Sequence, residues 1–207
     1  MNPDEPGFLS ASYWDKRYTE HQTGWDIGYP STPLKTYIDQ LENKTQRILI
    51  PGAGNSYEAI YLAEQGFTDI TIIDISAVLT NQLQQKINPV SYPSIHLLTG
   101  DFFDLDQTFD LVLEQTFFCA IHPSLRENYI KKVQSILSGN GKLAGLLFNR
   151  EFDTNPPFGG NEKEYRQLFE THLRIKKLEA CFNSIPERAG TELFLIAENK
   201  TAESNKP

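Results

Sequence analysis

Arg47-Ile48-Leu49-Ile50-Pro51-Gly52-Ala53-Gly54-Asn55-Ser56-Tyr57-Glu58 is the stretch on which the fold turns. Residues 47–50 form an apolar run of strand length that stops at Pro51, and Gly52-Ala53-Gly54 follows as a loop. Asn55 then predicts a helix cap, with Glu58 three residues later as a near capping box and Gly66 as the stop. Strand, glycine loop and helix in this order open a βαβ unit, with the glycines where a ligand can approach backbone and helix end.

The same pattern recurs along the chain. A second strand, 70–73, runs into Asp74, and Ser76 caps a helix running toward Asn88. A third strand, 95–98, ends at Gly100-Asp101, and a fourth, 109–113, ends at Glu114. A helix over 123–137 precedes the turn Ser138-Gly139-Asn140-Gly141 and a fifth strand at 142–148. After an irregular stretch containing Asn155-Pro156-Pro157-Phe158-Gly159-Gly160, a helix over 163–173 leads to strands at 176–182 and 192–197. The expectation is a doubly wound α/β sheet of about seven strands, the last pair antiparallel, with its crevice at the carboxyl ends of the early strands. Residues 1–200 read as a single domain and 201–207 as a disordered polar tail.

Composition narrows the function. A net charge of -8 over 207 residues opposes phosphate-backbone binding, so a small-molecule partner is expected rather than nucleic acid. No leader and no apolar run of about 20 residues is evident, which points to a cytoplasmic protein without a membrane role. Cys119 and Cys181 are too few for a disulfide framework or a zinc set, so reduced thiols are expected and no metal is implied; the chain is separately expected to be a monomer.

The strand ends carry the chemistry. Gly52 and Gly54 alone also fit a tight turn, and the third glycine of a dinucleotide fingerprint is replaced by Tyr57, which argues against a nicotinamide cofactor. Asp74 lies about twenty residues after the glycines, where a carboxylate can accept both ribose hydroxyls; its bland reading is a helix cap. Asp101 can accept from an adenine amino group while Phe102 packs on the ring, or cap a turn while Phe102 and Phe103 fill the core. Three such groups at successive strand ends favour an adenosine site.

At these residues the chain resembles the thiopurine S-methyltransferase family, in particular its halide/thiol methyltransferase branch. The residues that carry the resemblance are Trp14, Tyr18, Trp25-Asp26, Gly28, residues 49–54, Asp74-Ile75-Ser76 and, most specifically, Phe117-Phe118-Cys119-Ala120-Ile121. It spans residues 13–199 and implies a class I, Rossmann-like S-adenosylmethionine-dependent fold. It also implies cofactor contacts from Trp14, Trp25, Gly52, Gly54, Asp74, Ile75, Asp101 and Phe102, with Tyr18 at a position where the plant-type enzymes carry a tryptophan. An indole face can hold a sulfonium as it holds other onium cations, so Trp14 and Trp25 read as a lid, the alternative being a helix packed on the core.

Glu114 and Gln115, at the end of the fourth strand, are the expected catalytic pair. At Gln115 the halide/thiol enzymes carry tyrosine and the thiopurine enzymes arginine, so this chain departs from both. Cys119 reads as buried packing, and His122 as a helix-start residue or an aid to acceptor deprotonation. Residues 155–160 read as an acceptor-side flap covered by Phe158, or as an ordinary connection. The reaction implied is methyl transfer to a thiol, thiopurine-like sulfur, hydrosulfide or halide. The competing readings are an O- or N-methyltransferase, a nicotinamide-dependent oxidoreductase and a non-catalytic S-adenosylmethionine-binding protein.

Overall fold

The computed structural model describes residues 9–52 and 54–200; Ala53 of the glycine loop and the tail at 201–207 lie outside the described residues. The seven strands are β1 (Ile48–Pro51), β2 (Ile70–Asp74), β3 (Ile95–Thr99), β4 (Phe109–Gln115), β5 (Leu137–Phe148), β6 (Leu173–Ala180) and β7 (Glu192–Asn199). They form one sheet in the order β3-β2-β1-β4-β5-β7-β6. The first five strands pair in parallel, and β7 runs antiparallel to both β5 and β6, as expected. Strand order reverses between β1 and β4, the switch point where crossovers diverge to opposite faces and leave a crevice.

Every residue of β1 and β2 is buried, because helices cover both faces of the central sheet. Alternation divides the apolar residues between two cores. Leu49, Ile73, Val112 and Leu143 meet α5 (Arg126–Ile136) and α6 (Glu162–Phe169) on one side. Ile48, Ile50, Ile72 and Leu111 meet α2 (Thr32–Ile38), α3 (Tyr57–Glu64) and α4 (Ala77–Lys86) on the other. The edge strand β3 is only half-buried. Ahead of the sheet lies α1 (Ala11–Thr19). No helix among the described residues is long and apolar enough to cross a membrane.

Several local expectations change. Asn55 does not cap α3: Ser56 is the cap residue, in the left-handed region at φ 54° and without a side-chain cap bond. The Asn55 amide donates to Asp26 instead, and Glu58 accepts from the Ser31 N–H at 2.9 Å, so tertiary partners take both capping-box groups. Ser76 does cap α4, accepting from the Leu79 N–H at 3.1 Å. The helix expected from residue 123 opens as a 3-10 turn, Pro123–Leu125, before α5. The turn at 138–141 is absorbed into β5 as a bulge, since Phe109 pairs with Leu137 but Leu111 with Lys142. α6 stops at Phe169, and β6 begins at Leu173, paired with Asn199, earlier than its apolar pattern suggests. α2 is absent from the sequence reading, although Ser31 with Pro33 in the first turn is a start signal.

Gly145 of β5 pairs with Glu114 of β4, and a Cβ there would overlap the Glu114 side chain and carbonyl oxygen. Gly145→Ala is therefore expected to destabilise the fold by about 3 kcal/mol, since strand backbone cannot give way as a flexible side chain does. Urea unfolding measures it, and wild-type stability would mean that the β4–β5 pairing tolerates displacement.

Candidate active site

A cavity of about 740 Å³ opens at the carboxyl ends of β1, β2 and β4. Gly52 and Gly54 line its floor with φ of 65° and 50°, a region that side-chain-bearing residues avoid. The Gly52 N–H extends the ladder to the Ile73 carbonyl at 2.9 Å. A Cβ on Gly52 would stand 2.5 Å from the Phe117 ring, so the missing side chain also makes room for the aromatic residue that follows β4.

Asp74, Ile75, Asp101 and Phe102 line the adjoining wall. Asp74 is buried, and its Oδ1 accepts from the Ser76 N–H at 2.8 Å, an Asx turn that sets the carboxylate's orientation. Asp101 accepts from the Phe103 N–H at 2.9 Å and caps the 3-10 turn Phe102–Asp104. Phe102 packs edge-on against Phe103 and Phe117, with ring centroids 5.5 and 5.3 Å away. The cap and core readings therefore hold together with the cavity placement rather than against it.

Trp14 and Tyr18 of α1, with Trp25 in the loop that follows, also line the cavity. Trp25 meets both edge-on, at 5.6 Å from Trp14 and 5.8 Å from Tyr18. Burial, with Asp74 nearby, pushes the Tyr18 phenol well above the ordinary tyrosine range, so it stays protonated. Arg17 also lines the cavity, its guanidinium 5.6 Å from the Trp25 ring centroid. The sequence reading passes over Arg17, although Trp14, Arg17 and Tyr18 have the i, i+3, i+4 spacing of one helix face.

The far end is built from elements that the motifs do not mark. Phe148 meets Phe152 at 4.9 Å, Arg150 stacks on Phe152 at 4.7 Å, and Arg188 lies 5.5 Å from the Phe148 ring while donating to the Trp25 carbonyl at 3.1 Å. Pro156 and Pro157 close this end. Phe158 is buried as an anchor rather than a cover: its N–H donates to the Cys119 carbonyl at 2.7 Å, and Arg126 donates to the carbonyls of Phe158 and Gly159. Residues 155–160 are thus a fastened wall of the cavity.

Glu114 and Gln115 are not brought into the lining. Gln115 accepts from the Ser31 hydroxyl at 3.2 Å, which orients it toward the start of α2. Glu114 is 1% exposed; one oxygen accepts from the Phe117 and Phe118 N–H groups at 2.9 and 3.0 Å, the other from the Tyr129 hydroxyl at 3.1 Å. It holds the turn rather than a substrate. Cys119 donates to the Thr116 carbonyl, and burial, reinforced by Glu114, pushes its thiol up to about 12, which suits packing and not nucleophilic attack. His122 lines the cavity, but its Nδ1 accepts from the Ser124 N–H, capping the 3-10 turn.

Burial pushes the Glu114 carboxyl up to about 7, against the pull of its three donors. The folded state therefore holds this proton more tightly than the unfolded chain. Stability from this group is fully present below about pH 4.5 and is lost as pH rises to about 7, by roughly 3 kcal/mol. Glu114→Gln cannot ionise and is expected to flatten that window in urea unfolding between pH 5 and 8. An unchanged slope would mean that Glu114 is ionised throughout.

Residues 9–200 match the family model described as Thiopurine S-methyltransferase (TPMT). Similar relatives include the probable thiol methyltransferase 2 of Arabidopsis thaliana, 26% identical, with 77% of this chain and 72% of the relative covered. The thiopurine S-methyltransferase of Acinetobacter baylyi is likewise 26% identical, with 83% and 88% covered. The crystal structure of Burkholderia thailandensis 1,6-didemethyltoxoflavin-N1-methyltransferase, with bound 1,6-didemethyltoxoflavin and S-adenosylhomocysteine, superposes with a TM-score of 0.75 over 96% of this chain and 91% of that one, at 17% identity. A TehB-like SAM-dependent methyltransferase from Corynebacterium glutamicum gives 0.65 over 92% and 98%, also at 17% identity. These likenesses show the class I methyltransferase fold. The family match runs from α1 through the last strand, leaving no element of the sheet outside it, and the chain belongs to the thiopurine S-methyltransferase family.

Proposed function

We propose that this chain transfers the methyl group of S-adenosylmethionine to a small thiol or thiopurine-like sulfur, with hydrosulfide and halide as smaller acceptors of the same soft class. The observation that carries the reading is one cavity in which strand-end carboxylates face an aromatic lid, in a chain of this family. Its volume, about 740 Å³, falls in the ~300–1,000 Å³ range of small-molecule pockets. The net charge of -8 supports a small-molecule partner over nucleic acid. The continuous sheet supports a single domain, and a cytoplasmic location suits its free thiols.

The cofactor fits the residues present. In this reading Asp74 accepts the ribose hydroxyls, Asp101 accepts from the adenine amino group with Phe102 beside the ring, Gly52 and Gly54 leave room along the backbone, and Ile75 lends an apolar contact; all of them line the cavity. Trp14, Tyr18 and Trp25 offer π faces to a positive sulfur. When bound, the sulfonium supplies an electrophilic methyl carbon that an acceptor attacks in line. The protein's part is to align the two and keep water out. Glu114 is sealed behind the wall, and the His122 Nδ1 already accepts from the Ser124 N–H, so among the described residues neither of these two candidates is poised as a general base. This favours acceptors that ionise by themselves, and disfavours oxygen and nitrogen acceptors, which need one. The edge-on pair Phe148 and Phe152, with Arg150 over the Phe152 ring, supports the far end as the acceptor side.

Asp74→Ala is expected to weaken S-adenosylmethionine and S-adenosylhomocysteine alike, about ten- to a hundredfold, because ribose contacts do not sense the methyl group. Calorimetry measures it, and unchanged affinity in a folded variant removes Asp74 from the site. Across a thiol panel, kcat/KM should rise with pH through each acceptor's own pKa; one fixed pKa for all thiols would reveal an enzyme base.

Acceptor selectivity should move with the far wall rather than with the end of β4. In competition assays, Arg150→Ala should change the ratios among charged and neutral aromatic thiols about tenfold, and Gln115→Ala less than about threefold. The reverse ranking would place the acceptor against Gln115.

A further inference from the structure

The lid helix is seated by one side chain. Asp15, between cavity-facing Trp14 and Arg17, turns away from the cavity, and its Oδ1 accepts from the Ser76 hydroxyl at 2.6 Å and from the Val78 N–H at 3.1 Å. It thereby lies at the amino end of α4, where unpaired backbone donors and the helix dipole favour an anion. Little else fastens α1: Tyr18 is its only buried residue, and its own cap, Ser10, makes no side-chain cap bond.

Ser76 joins two functions. It is fully buried; its N–H donates to Asp74 Oδ1 at 2.8 Å, and its hydroxyl donates to Asp15 while accepting from the Leu79 N–H at 3.1 Å. The backbone of Ser76 therefore orients the carboxylate assigned to the ribose, and its side chain holds the helix assigned to the sulfonium lid. A shift of either partner moves the residue that holds the other, the requirement for coupling through a contiguous hydrogen-bonded network.

We propose that Asp15 is a positioning residue that couples the aromatic lid to the ribose carboxylate through Ser76, so that seating α1 and binding the cofactor stabilise each other. This rests on the cofactor site proposed above. Such coupling is reciprocal: what the cofactor gains from a seated lid, the lid gains from bound cofactor.

The chain carries its own reporter, since its only two tryptophans, Trp14 and Trp25, both line the cavity. Affinity for S-adenosylmethionine is measured by calorimetry and by tryptophan emission in the wild type, Asp15→Ala, Trp14→Ala and the double variant, with Tm followed in each. Asp15→Ala and Trp14→Ala are each expected to weaken binding about tenfold, and the double variant to stay within about twofold of the weaker single, because both remove the same lid contact. Asp15→Asn, which keeps an acceptor oxygen, should restore most of the affinity. If Asp15→Ala fails to fold, the same cycle is run with Asp15→Asn, whose smaller loss should also be absorbed into that of Trp14→Ala.

Wild-type affinity in the folded Asp15 variant, or losses that multiply in the double variant, would reduce Asp15 to an ordinary helix cap and overturn the coupling. A wild-type protein that binds no S-adenosylmethionine would instead overturn the proposed function, and the coupling with it.

Discussion

A carboxylate sealed inside a parallel sheet is tolerable only if its oxygens are occupied, and Glu114 occupies them with two backbone N–H groups and a tyrosine hydroxyl. Those two N–H groups belong to Phe117 and Phe118, so the carboxylate dictates how the chain leaves β4. It folds the exit into a tight turn in which Thr116 takes φ 59°, uncommon for a residue with a branched side chain. The turn lays Phe117 over Gly52 and presents the Cys119 carbonyl to Phe158, so floor and far wall hang from one buried group. Gly145 completes the arrangement by leaving the adjacent strand without a side chain where Glu114 sits.

The cavity that results has two ends of unlike character. Asp74 and Asp101 stand at the ends of β2 and β3, while Arg150 and Arg188 lie toward the exits of β5 and β6. Trp25 joins the two sets, with Arg17 on its ring and its carbonyl held by Arg188. A chain of net charge -8 thus places cationic side chains at one end of its cavity, an arrangement that orients a charged ligand beyond what apolar contact alone achieves. Helix α1, of whose residues only Tyr18 is buried, is also tied to α4 by the bonds of Asp15 to Ser76 and Val78.

Much of the architecture was legible in the chain. Fully buried parallel strands need continuous apolar runs, so β1, β2 and β4 stand out, and residues that end strands and start helices are restricted by backbone geometry to glycine, aspartate and serine. For that reason Gly52, Gly54, Asp74 and Asp101 were readable as a ligand crevice, and all four line the cavity, while Ser76 was readable as the cap of α4. Two of the departures fall where a side chain chose a distant partner over a local one. Asn55 has every local attribute of a cap but donates to Asp26, and Gln115 follows the strand end but turns to Ser31.

What the sequence by itself determined is therefore the order of the strands, the doubly wound sheet and the strand-end residues that line the crevice, because these follow from hydrophobic period and from φ restrictions within a few residues. Tertiary structure alone decided that Glu114 braces a turn, that residues 155–160 are fastened to Cys119 and Arg126, and that Arg17, Arg150 and Arg188 share one cavity. The physical reason is range. A strand end announces itself through its neighbours, but an arginine on a helix, one after β5 and one before β7 come together only when the sheet has closed its antiparallel edge.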